Sequence, residues 1–154
     1  MTVISMADNH SKDIRSKNMS HIRSKNTKPE ELVRKYLFSK GFQYRKNVKQ
    51  LPGCPDIVLP KYKTVIFVNG CFWHKHDCPR FVWPSSNQEY WTPKILKNVE
   101  RDKSNAAALN AMGWRVITVW ECELSPKDRA FERLAQLEFD IKESYDQSNQ
   151  EALS

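Results

Sequence analysis

Helix, three short strands, helix, strand, helix: this order predicts an α/β domain, one sheet flanked by helices. Apolar residues recur at helical spacing in 27–40, 93–112 and 126–145. Short β-branched runs lie between turn signals in 42–68, and 114–120 (WRVITVW) is one continuous apolar run. The chain, at 154 residues, can bury one core but not two. A mean hydropathy of −0.69, with 40% hydrophobic and 28% charged residues, matches globular rather than disordered sequences. No apolar run reaches the roughly eighteen residues of a membrane span. No charged, then apolar, then small-residue leader is visible, so a cytoplasmic location is expected.

Residues 1–13 lack periodicity and are expected to be a disordered extension, with Met6 an alternative start. Residues 14–26 (IRSKNMSHIRSKN) are basic, with isolated apolar Ile14, Met19 and Ile22, which suits an arm lying on a partner. Thr27-Lys28-Pro29-Glu30 opens the first helix: Thr27 caps it, Pro29 is tolerated in the first turn, and Glu30 stands three residues after the cap. Leu32, Val33, Tyr36 and Leu37 carry it to a Gly41 stop. Glu30 shares a face with Val33 and Leu37, so its carboxylate either closes a capping box or is a functional acid aimed inward, and both stay open.

FQYRK, DIVL and TVIFV read as a β-meander divided by LPGCP and PKYK. Asp56 opens the second of these strands, where an ionised carboxylate must be exposed, paired or metal-bound. In the helix expected over 93–112, Ile95, Val99, Asp102, Ala106 and Leu109 form one stripe. An aspartate on that stripe predicts a buried partner, most usefully a histidine. The run 114–120 reads as a strand covered on both faces, delivering Cys122 just past its end. The last helix, 126–145, is expected to pack Phe131, Leu134, Leu137 and Ile141, and the polar tail 147–154 to be flexible. Residues 14–146 then make one domain.

The net charge of +7 is unevenly spread: residues 10–50 hold twelve Lys/Arg against three acidic residues, so the remainder is net negative. A phosphate backbone is the commonest partner of such a surface. An acidic membrane or protein surface, or a plain solvated charge run, are the alternatives.

Residues 70–78 (GCFWHKHDC) concentrate the chemistry. Cys71, Cys78, the distant Cys122 and a loop histidine have the look of a structural zinc site; the alternative is a set of buried thiols with a surface histidine. Cys54 is left over, as a structural residue. His74 and His76 face opposite sides of an extended loop and so can serve different sites, but spacing does not say which is the ligand. Phe72 and Trp73 read as core by composition, whereas their place beside the candidate ligands favours an exposed display.

The set RSKNM (15–19), LPGCPD (51–56), GCFWHxHxC (70–78), KNVERD (97–102) and GWRVITVWEC (113–122) resembles the very short patch repair (Vsr) DNA mismatch endonucleases, in unbroken order over residues 12–124. The resemblance implies a restriction-endonuclease-like core, a mixed central sheet flanked by helices, with a structural zinc site. Pro55-Asp56 fits the first half of that fold's signature; the second half, an acid, one residue and a lysine, is missing from TVIFVNG. The implied reaction is a Mg²⁺-dependent nick of one strand of duplex DNA, 5′ to the thymine of a T:G mismatch left by deamination of 5-methylcytosine. Asp56 would bind the catalytic Mg²⁺ with the main-chain carbonyl of Val68, and Glu30 would support it through water. His74 would be the general base and Asp102 its orienting partner, while Cys71, His76, Cys78 and Cys122 would hold structural Zn²⁺. Phe72, Trp73 and Trp91 would wedge into the base stack. Met19 and Ile22 would enter from the other groove, with Arg15 and Lys17 of the same arm on the DNA. Mismatch-repair proteins are implied partners, a monomer the default, and the bacterial nucleoid the setting. Two departures stand out: Asn69 where a histidine is expected, and Val68 where a threonine is common.

The chemistry is coherent apart from the family. Phosphodiester hydrolysis needs an activated water and charge compensation at the leaving oxygen. Mg²⁺ accepts a few oxygen ligands and keeps waters. With no lysine after the PD pair, a histidine steadied by a carboxylate can take the proton. A zinc-stabilised DNA-binding module without cutting activity is the first competing reading, but it has no use for Asp56, His74 and Asp102 together. A restriction-type endonuclease of a paired site is the second; the wedge cluster and the absent lysine argue against it.

Overall fold

Helix α1 (Lys28–Ser39) starts where the sequence supplies its cap: Thr27 is extended and its hydroxyl accepts the Glu30 N–H, with Pro29 in the first turn. It stops at Gly41, whose φ of +85° is left-handed. The computed structural model describes residues 27–153, so the basic arm with Arg15, Lys17, Met19 and Ile22 lies outside the described residues. After α1 come β1 (Arg45–Lys46), β2 (Ile57–Leu59), a 3₁₀ turn (Pro60–Tyr62), β3 (Thr64–Asn69), α2 (Gln88–Ala111), β4 (Arg115–Trp120), a second 3₁₀ turn (Glu121–Leu124) and α3 (Lys127–Leu153).

The described strands form a mixed sheet in the order β1-β2-β3-β4, antiparallel except for the parallel β3–β4 pair. Parallel neighbours need a long crossover, which α2 provides. Alternation along the strands sorts their side chains to two faces. Ile57, Leu59, Ile66, Ile117 and Val119 meet Val33 and Leu37 of α1 and Leu134, Leu137 and Ile141 of α3. Val58 and Val65 meet Leu109 of α2, flanked by Phe67 and Val116. The domain is therefore three layers, and each fully buried Leu, Ile or Val contributes about 1.5–3 kcal/mol.

Four expectations are corrected. Helix α2 begins at Gln88, ahead of Pro93, which lies inside it; a proline so near the start removes only the bond to the Glu89 carbonyl. Strand β4 is not evenly covered: Ile117 and Val119 are buried, Val116, Thr118 and Trp120 half-buried and Arg115 exposed, as suits an edge strand. Phe131 is 71% exposed, because the buried stripe of α3 starts at Ala130 and continues through Leu134, Leu137 and Ile141. Helix α3 itself continues to Leu153, past the expected end near 145. Among the described residues no helix is long and apolar enough to cross a membrane.

Candidate active site and metal centre

A cleft of about 490 Å³ opens at the carboxyl ends of β3 and β4. Its walls come from α1 (Glu30), the 53–56 turn, the loop after β3 (Gly70, Trp73, His74), and the α2 face bearing Asn98, Arg101, Asp102 and Asn105. Gly53 is needed here. Its φ is +77°, and a Cβ would stand 2.8 Å from Asn105 Nδ2, so only glycine lets the turn lie this close to α2.

Asp56, just before β2, accepts the Val68 N–H at Oδ2 (2.7 Å). Backbone N–H and C=O of one residue leave a strand from the same edge, so the Val68 carbonyl lies toward Asp56 as well. Burial pushes the Asp56 carboxyl up to about 7, and the charge of Glu30 adds to it, against the Val68 hydrogen bond, His74 and Arg34. Such a carboxyl is ready for a cation, which would remove the reason for holding a proton. Glu30 both bonds to its cap residue and borders the cleft. Its Oε2 accepts the Thr27 hydroxyl (3.2 Å), its Oε1 meets Arg34 Nη1 (3.4 Å), and it is buried while lining the cleft.

His74 Nδ1 lies 2.5 Å from Asp102 Oδ2. The aspartate on the apolar stripe has its histidine, but the pair is not buried: the side chains are 27% and 38% exposed. The stripe leaves the sheet at this point and borders the cleft. With Nδ1–H donating to Asp102, the Nε2 lone pair of His74 is left to accept a proton.

The other histidine belongs to a second cluster. Cys71, His76, Cys78 and Cys122 place their ligand atoms within 4.8 Å of one another. Cys71 Sγ and Cys122 Sγ lie 3.6 and 3.5 Å from His76 Nδ1. An ion with tetrahedral Cys/His ligation has S···N edges of about 3.6 Å, so the residues fit one such ion. Burial pushes the Cys71 thiol up to about 12, and a cation bound to its thiolate would reverse that.

Residues that the sequence reading passed over hold these groups in place. Trp120, ending β4, stacks on His76 at 4.0 Å and 10° and lies 6.3 Å from the His74 ring. Glu121 accepts the Cys71 N–H (3.0 Å), and Glu123 accepts the Trp120 N–H (2.8 Å) and Arg133 Nε (3.1 Å). The acids flanking Cys122 in ECE were the available signal. Arg34, Asn98 and Arg101 were also missed. Cys54 lines the cleft rather than the core.

Phe72, Trp73 and Trp91 form one aromatic cluster with ring centroids 5.2–5.8 Å apart. The expected display of Trp73 is corrected: it is 6% exposed, packed under α2, where Asn98 Nδ2 donates to its carbonyl (3.1 Å). Phe72 and Trp91 are half-buried and form the outer part of the cluster.

Residues 7–80 match the family described as DNA mismatch endonuclease Vsr. The DNA mismatch endonuclease Vsr of Escherichia coli (strain K12) is 44% identical over 124 residues, 80% of each chain. The chain belongs to the Vsr family. Two Type II nicking enzymes are also similar. V.NmeAIP of Neisseria meningitidis is 52% identical over 90% of this chain and 99% of that one. V.XorIIP of Xanthomonas oryzae pv. oryzae is 51% identical over 78% and 88%. The stretch matched by the Vsr family model includes Glu30, Asp56, His74 and His76, while Asp102 and Cys122 lie beyond it.

Proposed function

We propose that this chain is a Mg²⁺-dependent endonuclease that nicks one strand of duplex DNA 5′ to the thymine of a T:G mismatch. As a Vsr-family member it is a DNA endonuclease. The observation that carries the finer reading is the meeting, in one cleft, of the His74–Asp102 pair with Asp56 and Glu30. A binding module has no use for a base, its orienting acid and a carboxylate pair in the same place.

Asp56 and the Val68 carbonyl would hold Mg²⁺, with Glu30 supporting it through water; the all-oxygen donor set fits that ion. When bound, Mg²⁺ supplies a more acidic water and compensates charge on the leaving oxygen. His74 Nε2 takes the proton from the attacking water. Asp102 fixes the ring and stabilises the imidazolium. Cys71, His76, Cys78 and Cys122 hold Zn²⁺, which fixes the loop on which His74 stands. Phe72 and Trp91 face the base stack, backed by Trp73, and the arm with Arg15, Lys17, Met19 and Ile22 grips the DNA from the other groove. A mismatched step is cheaper to open than a paired one, and that difference contributes to selectivity. The β2–β3 meander, the acid at its start and the parallel β4 after a helix agree with a restriction-endonuclease-like core. The protein acts as a monomer in the bacterial cytoplasm, on the nucleoid and beside mismatch-repair proteins.

The test is incubation with Mg²⁺ and a duplex carrying one T:G pair, beside its T:A counterpart. A single nick 5′ to the mismatched thymine is expected. Equal cutting of both duplexes, a double-strand break, or tight binding without cutting would overturn the reading.

A further inference from the structure

A phosphodiester entering this cleft meets the carboxylates of Glu30, Asp56, Asp102 and Glu121. Each is already engaged: Glu30 with Arg34, Asp56 with the Val68 N–H, Asp102 with His74 and Glu121 with the Cys71 N–H. An anion needs more than one counter-charge to enter such a place, and β3 (TVIFVN) supplies none. Arg101 is the one guanidinium among the described residues lining the cleft. Among the described residues none makes a hydrogen bond or ion pair with it, so its five donors are available. It is exposed on α2, next to Asp102 and on the face shared with Asn98 and Asn105, which also line the cleft. Asn98 is fixed on the Trp73 carbonyl, so this face of α2 does not slide relative to the His74 loop.

We propose that Arg101 is a catalytic residue that binds the non-bridging oxygens of the phosphodiester to be cut, holding it beside His74. The planar fork of a guanidinium matches two such oxygens, and the contact strengthens as charge builds on them in the transition state. The proposal rests on the nuclease reading above and adds to it the group that positions the phosphate.

The test uses Arg101→Gln and Arg101→Lys in the zinc-loaded, full-length protein. In single-turnover nicking of the T:G duplex with Mg²⁺, Arg101→Gln is expected to be slower by about 10²–10³-fold. Arg101→Lys should recover part of the rate, since an ammonium keeps the charge without the fork. Binding of uncut duplex should weaken only a few-fold, with a salt slope lower by about one, and the thermal midpoint should not move. A second arm measures affinity for a nicked T:G duplex with and without a 5′-phosphate at the nick. The wild type should prefer the phosphorylated end about tenfold, and Arg101→Gln should lose that preference. A wild-type rate in Arg101→Gln, or a retained end-phosphate preference, overturns the proposal. Failure of the wild type to cut would count against the nuclease reading instead, and the end-phosphate preference would then decide Arg101 alone.

Discussion

Replacing Asp56 by asparagine should stabilise the magnesium-free protein while removing its response to Mg²⁺. The carboxyl sits at about 7 against an ordinary 3.8, chiefly because it is buried. At about 1.36 kcal/mol per decade that gap is worth about 4 kcal/mol, and the water that still reaches the carboxyl from the cleft brings it to about 2 kcal/mol. Between those two values the folded protein keeps a proton that the unfolded chain has released, so this carboxyl's contribution to stability falls as pH rises from near 3.8 and levels off above about 7. Asparagine has no charge to bury, and its oxygen can still accept the Val68 N–H. Denaturant unfolding of zinc-loaded protein without added Mg²⁺ checks this. The variant's advantage should be near zero at about pH 4 and grow to about 2 kcal/mol by about pH 8. Calorimetric titration should show wild-type Mg²⁺ affinity weakening about tenfold per pH unit below about 7, as the proton competes for the carboxylate. A variant less stable than the wild type at about pH 8, or a Mg²⁺ affinity that ignores pH, would refute the reasoning.

His74→Gln should lose about 10²–10⁴ in nicking rate while retaining zinc, read by single-turnover kinetics and metal analysis; full activity would remove the base assignment. Cys78→Ser should release zinc and lower the unfolding midpoint before any effect on the chemistry can be read, and a chelator should do the same to the wild type. Gly53→Ala should cost about 1–3 kcal/mol in denaturant unfolding, and pairing it with Asn105→Ala should recover the part due to the collision with that side chain. Trp73→Ala should destabilise the fold by about 3–5 kcal/mol, whereas Phe72→Ala should chiefly weaken binding to the T:G duplex in a fluorescence assay.

Much of this could be read where one residue settles a local choice. Thr27, Pro29 and Gly41 mark the ends of α1 because caps and left-handed stops are local physics. Asp102 betrayed a partner by standing on an apolar stripe, and Cys122 announced itself by following a strand. What escaped depends on neighbours distant in sequence. Ala130 and Phe131 are adjacent and both apolar, and only the rotation of α3 against the sheet decides which is buried. Trp73 is buried because α2 reaches over it and Asn98 seizes its carbonyl. The start of α2 was misplaced because a proline reads as a beginning even where the helix can spare a bond. Trp120 gave no sign of stacking on His76 because that contact exists only once β4 lies parallel to β3.

The cysteine cluster has a consequence for the chain's topology. Asn69 pairs with Trp120 in the β3–β4 ladder, two residues before Cys71 and Cys122 on each strand. An ion joining those cysteines closes a ring of about fifty residues in the unfolded chain, which by the loop-entropy argument disfavours unfolding by about 4 kcal/mol. His74 and all of α2, with Asp102, lie inside that ring. A metal-loaded chain that has lost its sheet would still have both ends of this segment tied together, so His74 and Asp102 would begin their search for one another already on a leash.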